Sequence, residues 1–123
     1  MVLIVEDNKI LAQEIKETLE LDDIDSIVVS NDIAYLKLLE LGMKEISHVI
    51  MDNNIDGQTK GIDLLKLSYS SEELFFKEKT IYFFTGDVNY ILKDDLKFLT
   101  EHHIKTITKS RIEVLISEIL TSS

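Results

Sequence analysis

Four short apolar runs, each closed by a polar residue, constrain this chain more than any other feature in it. Val2-Leu3-Ile4-Val5 ends at Glu6-Asp7, Val49-Ile50-Met51 ends at Asp52, and Ile81-Tyr82-Phe83-Phe84 ends at Thr85, while a weaker fourth run ends at Lys109. Runs this short, rich in β-branched and aromatic residues, read as buried strands. Stretches with helical spacing lie between them, and that alternation is the pattern of βα units around a parallel sheet.

The helical stretches can be placed by their apolar spacing. Ile10, Leu11, Ile15 and Leu19 outline a first helix over about residues 9–20. Ser26 to Ser30 form a β-branched second strand. Asn31-Asp32 can cap a helix carrying Leu36, Leu39 and Leu41, which Gly42 would end. Strand three covers about His48–Asp52, and a polar loop from Asn53 to Lys60 leads into a helix with Ile62, Leu64, Leu65 and Leu67. Ser70 and Glu73 have capping-box spacing, which predicts a further helical turn before strand four. Val88, Ile91, Leu92, Leu96 and Leu99 outline the fourth helix, and Ile104 to Lys109 read as an edge strand. The last helix has the clearest period, with Ile112, Leu115, Ile116, Ile119 and Leu120 on one face.

The expected architecture is therefore α/β: (βα)5, doubly wound, with a five-stranded parallel sheet. Strands one, three and four are continuously apolar, as interior parallel strands are, and strands two and five are more polar, as edges are. With right-handed crossovers this burial pattern favours the order 2-1-3-4-5. That order sets the ends of strands one and three side by side at the topological switch point, where open α/β sheets bind ligands, and so brings Glu6, Asp7 and Asp52 together.

Composition narrows the function classes. The 123 residues suit one domain, residues 1–123. A net charge of −10, with 13 basic against 23 acidic residues, disfavours binding to nucleic acid or to a membrane surface, both of which need a Lys/Arg surface. No apolar stretch approaches the ~20 residues of a membrane span. With no cysteine and no leader-like opening, the expected location is cytoplasmic.

Three clustered carboxylates repel one another, and a hard divalent cation offsets that repulsion. Mg2+ suits best, because it takes oxygen ligands and needs few protein carboxylates. An aspartate beside such an ion can attack a phosphoryl group to give an aspartyl-phosphate, a step that depends mostly on positioning and charge neutralisation. Lys109 could pair with one phosphoryl oxygen and the Thr85 hydroxyl with another. The alternative is a set of ordinary strand-end polar residues, which would have to coincide with the switch point.

Four pieces, Val2-Leu3-Ile4-Val5-Glu6-Asp7-Asn8, His48-Val49-Ile50-Met51-Asp52, Phe83-Phe84-Thr85-Gly86 and Thr108-Lys109, together resemble a response-regulator receiver domain of two-component signalling, chemotaxis regulators included. The resemblance covers essentially the whole chain and implies the flavodoxin-like receiver fold. It implies Asp52 as phosphoacceptor, taking its phosphoryl group from a histidine kinase or phosphotransfer protein. Mg2+ would be held by Asp7, Asp52 and the backbone carbonyl of Asn54, with Glu6 acting partly through water. Thr85 and Lys109 would be the switch hydroxyl and the lysine that contacts the phosphoryl group. Asn54 and Asp87 occupy the positions that influence phosphoryl lifetime, and their polar, acidic character implies a short-lived state. The output would pass to a downstream protein partner, to an output domain outside this sequence, or to a homodimer formed through helix 4, strand 5 and helix 5.

The chain departs from the family at three points. Ser110 follows Lys109 where the family usually has a cis proline; a cis non-proline bond costs about 3–4 kcal/mol, so a trans bond is expected and Lys109 could be aimed differently. Thr106 replaces the aromatic switch residue, so rotation of a buried Tyr or Phe is not available as a readout. The loop after Asp52 is one residue longer, with Asp56 in place of the usual proline. These departures motivate a second reading, a pseudo-receiver that binds partners without phosphorylation. A third, an aspartyl-phosphate phosphohydrolase, is disfavoured because Asn54 stands where such enzymes carry a second Asp. A flavin-binding protein is disfavoured by Glu6-Asp7, which would repel a phosphate after strand one. Among other residues, His48 and the pair His102-His103 read as structural and as an exposed helix end, and Phe75-Phe76 as packing beneath the loop before strand four.

Overall fold

Period-two alternation along β1 (Val2–Val5) builds both layers of the molecule. Leu3 and Val5 join one buried cluster with Val49, Met51, Leu65 and Phe83, while Val2 and Ile4 join a second with Ile15, Ile50, Phe84 and Leu115. The computed structural model describes residues 1–55, 59–86 and 91–122; of residues 72–76 and 122 it describes the backbone alone.

The remaining elements are α1 (Lys9–Glu20), β2 (Ser26–Val29), α2 (Asp32–Leu41), β3 (His48–Asp52), β4 (Asn54–Ile55), β5 (Thr59–Lys60), α3 (Gly61–Lys77), β6 (Thr80–Thr85), α4 (Lys93–Glu101), β7 (Lys105–Thr108) and α5 (Ile112–Ser122). The main sheet is parallel, in the order β2-β1-β3-β6-β7. This is the expected 2-1-3-4-5 order, with the strands that read as three, four and five now β3, β6 and β7. It is a flavodoxin-like α/β receiver fold. The two-residue strands β4 and β5 form a small antiparallel hairpin that the sequence read as loop.

Local chemistry sets three of the helix ends. The Asn8 side chain accepts from the Ile10 and Leu11 amides at 3.1 Å each and starts α1. Asn31 caps α2 through the Ala34 amide at 2.8 Å, and Gly42 ends it in the left-handed region at φ 100°.

Several expectations need correction. Ser70 does not start a new turn: Ser70 and Ser71 donate back to the Leu67 carbonyl, so α3 runs unbroken over 17 residues. The fourth helix begins at Lys93, with Leu92 as its cap residue, and Leu92 and Leu96 are exposed while Leu99 is buried. Ile10, Leu41, Leu67 and Leu120 are exposed too; the buried faces of α1 and α2 are carried by Ala12, Ile15 and Leu19 and by Tyr35. Val88 and the side chains of Phe75-Phe76 lie outside what the structure describes.

Candidate functional site

The C-terminal ends of β1, β3 and β6 meet where the sheet order reverses. Carboxylate oxygens of Glu6, Asp7 and Asp52 all lie within 4.8 Å of one another there, Glu6 and Asp52 buried and Asp7 exposed. Backbone register sets this convergence. Glu6 continues β1 and donates its amide to the Val29 carbonyl at 3.1 Å; Asp52 is the last residue of β3, opposite Phe84; Thr85, buried, ends β6 one step further on.

Lys109 reaches into this acidic site. It opens the 3-10 turn Lys109–Arg111 after β7, and its Nζ sits 2.8 Å from Asp52 Oδ1 and 3.0 Å from Glu6 Oε1. No cis peptide bond occurs among the described residues, so the Lys109–Ser110 bond is trans as expected. The expected change of aim did not follow, since the ammonium faces Asp52.

The charges inside are incompletely matched. Both Asp52 oxygens and Glu6 Oε1 are buried without a hydrogen-bond partner among the described residues, the Lys109 contacts being ion pairs by distance alone. Burial, reinforced by Asp52 and opposed by Lys109, pushes the Glu6 carboxyl up to about 8. The Lys109 ammonium is held above its ordinary range because its contacts with Asp52 and Glu6 outweigh its desolvation. Three oxygen donors around buried, unsatisfied carboxylate atoms fit a small hard cation such as Mg2+.

Other candidate residues lie differently. Asn54 is exposed on β4, opposite Lys60 in the hairpin. Thr106 pairs with Phe83 and, by alternation with buried Ile107, faces the α4 side rather than the acidic site. Asp56 and Asp87 lie outside the described residues. His48 is buried, its ring stacked near Tyr82 and its Nδ1 2.7 Å from Ser47 Oγ, which agrees with the structural role expected of it. His102 is only half exposed, packed against Tyr69 and Phe98, while His103 is exposed.

Sequence reasoning missed Gly61. A Cβ at this position would overlap the Asp52 carbonyl oxygen and press on Met51 Cγ at 2.9 Å. The Gly61 amide also donates to the Asn53 carbonyl at 2.8 Å, so the start of α3 lies directly on the backbone of Asp52. A glycine just before the apolar-periodic residues of α3, Ile62, Leu64 and Leu65, was the available signal.

The fold has many solved counterparts, and they agree with this topology. A response regulator receiver protein from Pseudomonas putida superposes with a TM-score of 0.76 at 19% identity, covering 99% of this chain and 95% of that one. The chain has the receiver-domain fold. A LuxR-family DNA-binding response regulator from Staphylococcus aureus shares the receiver fold with a TM-score of 0.73 at 20% identity, over 98% of this chain and 95% of that one. A Burkholderia pseudomallei response regulator, solved with a phosphorylated aspartic acid, a calcium ion and citrate, matches at 0.71 and 18% identity over 98% of this chain and 71% of that one. No family model and no curated sequence matches the chain. No described helix is long and apolar enough to cross a membrane.

Proposed function

We propose that residues 1–123 form one signalling receiver that is switched by phosphorylation of Asp52. The observation that carries this reading is the buried Asp52 carboxylate beside Glu6 and Asp7, one oxygen met by the Lys109 ammonium at 2.8 Å and the other without a partner among the described residues. An Asp52 oxygen attacks the phosphorus of a phosphohistidine on a histidine kinase or phosphotransfer protein. The new O–P bond forms as the P–N bond breaks, and the imidazole leaves. Lys109 then turns from the carboxylate to a phosphoryl oxygen, and Thr85 supplies a hydroxyl to another. Asp7, Asp52 and the Asn54 carbonyl would hold Mg2+, with Glu6 acting partly through water, and the ion would supply charge neutralisation to the phosphoryl oxygens. The domain catalyses only its own phosphorylation and dephosphorylation. Asn54 and Asp87 favour a short-lived phosphoryl state.

Phosphorylation brings about −1.5 to −2 charges to a site that already holds three carboxylates. Thr85 is drawn towards that group and biases the surface of α4, β7 and α5, which meets a downstream protein, an attached output domain or a second copy. The setting is cytoplasmic, with no contact to nucleic acid or membrane by this domain.

The test is incubation with Mg2+ and a small acyl-phosphate donor, read by intact mass, with Asp52→Ala as control. A hydroxylamine-labile phosphate adduct absent from the variant is expected. An absence of adduct at every Mg2+ level would sink the reading and leave the pseudo-receiver, which the Thr106, Ser110 and Asp56 departures favour. Rapid turnover of phosphate esters would instead point to a phosphohydrolase.

A further inference from the structure

The main sheet ends in β2 on one side and β7 on the other, and the two edges differ in chemistry. β7 carries Lys105, Thr106 and Thr108 among its four residues, and Lys105 is tied to Glu118 at 2.6 Å. A lysine on an edge strand keeps it from pairing with another chain. β2 is Ser26-Ile27-Val28-Val29, without charge or proline, and its Ile27 is exposed. A groove of about 430 Å3 lies beside it, bordered by Lys9, Gln13 and Lys16 of α1 and by Ser26, Val28 and Ser30.

The ladder to β1 fixes which backbone groups face outward. Val2 and Glu6 donate to the carbonyls of Asp25 and Val29, so the odd-numbered residues of β2 pair inward. The N–H and C=O groups of Ser26 and Val28 therefore point away from the sheet. Among the described residues only one of these four groups has a partner, the Ser26 carbonyl, which accepts from Lys16 Nζ at 2.7 Å. The Ser26 hydroxyl is also buried without a partner there. Unpaired peptide groups along an apolar edge are a template for a further strand.

A second β2 satisfies these groups in one register. Laid antiparallel about a two-fold axis at Val28, the two Val28 residues exchange both their hydrogen bonds, and Ser26 stands opposite the second copy's Ser30. The Ser26 amide then meets the Ser30 carbonyl, and its hydroxyl gains a cross-strand hydroxyl neighbour. The Ser26 carbonyl keeps Lys16 on one lone pair and takes the Ser30 amide on the other. Exposed Ile27 falls against the second copy's Val29. A slip of one residue would present groups already bonded to β1 and lose these bonds. The charges on α1 agree with the same axis. Lys16 reaches the start of β2 and Lys9 opens α1 beyond its end, so the axis passes near Gln13 and brings Lys9 level with the second copy's Glu17. Lys9 forms no ion pair among the described residues, and symmetry supplies this match twice.

We propose that two copies of this chain associate through β2, joining their five-stranded sheets edge to edge. The strand is only four residues long, so the dimer is a weak, concentration-dependent one. It uses neither the acidic site nor the surface of α4, β7 and α5, and it requires no phosphorylation of Asp52.

The test combines sedimentation equilibrium with amide hydrogen exchange on the whole chain, without metal, from about 10 μM to about 1 mM. The dimer fraction should rise over this range, and protection of the Ser26 and Val28 amides should rise with it. The Ile27 and Val29 amides, bonded to β1, should be protected throughout. Val28→Pro removes only an outward donor, which an edge strand tolerates, and should weaken association at least about tenfold. Ile27→Lys, at a position already exposed, should do the same without altering the backbone. That variant also lowers the net charge of −10, so relief of general repulsion would strengthen association instead. A monomer at every concentration would overturn the assignment and leave the edge to a foreign strand. A dimer that both variants leave intact, or Val28 protection that does not change with concentration, would overturn it too.

Discussion

Lys109 holds two buried carboxylates at once, through contacts of 2.8 and 3.0 Å to Asp52 and Glu6. Removing its charge leaves both carboxylates facing each other with no cation between them. Protonation of Glu6, already pushed up to about 8, absorbs part of the cost, and the half-buried lysine screens less than a fully enclosed one. Lys109→Met should therefore destabilise the Mg2+-free protein by about 1–2 kcal/mol in urea unfolding, and no change would show the contact to be incidental. His48 makes a pH prediction. Burial lowers its pKa below the ordinary 6.5, so the unfolded chain binds a proton more readily than the folded one. Its contribution to stability is complete above that value and is lost as pH falls through the window beneath it. Urea unfolding of the wild type and His48→Gln over about pH 5 to 7.5 should diverge only at the acid end, the wild type losing stability more steeply.

At the scale of elements, the first turn of α3 and the end of β3 form one unit. The Gly61 amide donates to the Asn53 carbonyl, and the missing Cβ leaves room for the Asp52 carbonyl, so α3 and Asp52 are positioned by the same backbone contact. Gly61→Ala must push α3 away from β3 or twist Asp52. A stability loss of about 1–3 kcal/mol is expected, together with slower adduct formation from the acyl-phosphate donor. An alanine variant with unchanged stability and unchanged labelling would show that the contact relaxes freely. Periodicity revealed the strands and helices because each buries one face, but it could not reveal this contact, which depends on a missing side chain. For the same reason it misjudged α4: Leu92 and Leu96 keep helical spacing with Leu99, yet only Leu99 faces the sheet. The β4–β5 hairpin was invisible because two-residue strands carry no period.

For the molecule as a whole, the legible part of the site is the part written at strand ends. Glu6, Asp7, Asp52 and Thr85 follow directly from where apolar runs stop, and the sheet order then brings them together. Lys109, which closes the weaker fourth run, reaches the same point from the turn after edge strand β7 through its long side chain. The resulting site stores unfavourable charge in the folded state, and folding without a cation works against that repulsion. A cation that binds the assembled carboxylates and not the unfolded chain should therefore raise global stability, by about 2.7 kcal/mol at a hundredfold excess over its dissociation constant. Thermal unfolding with and without Mg2+ should show this as a rise in Tm in the wild type. The double variant Asp7→Asn, Asp52→Asn removes two of the three carboxylates, so its Mg2+-free form should be relieved of much of the repulsion and its Mg2+ response should vanish. An equal rise in both proteins would mean that the ion acts on the general −10 charge of the chain rather than on this site.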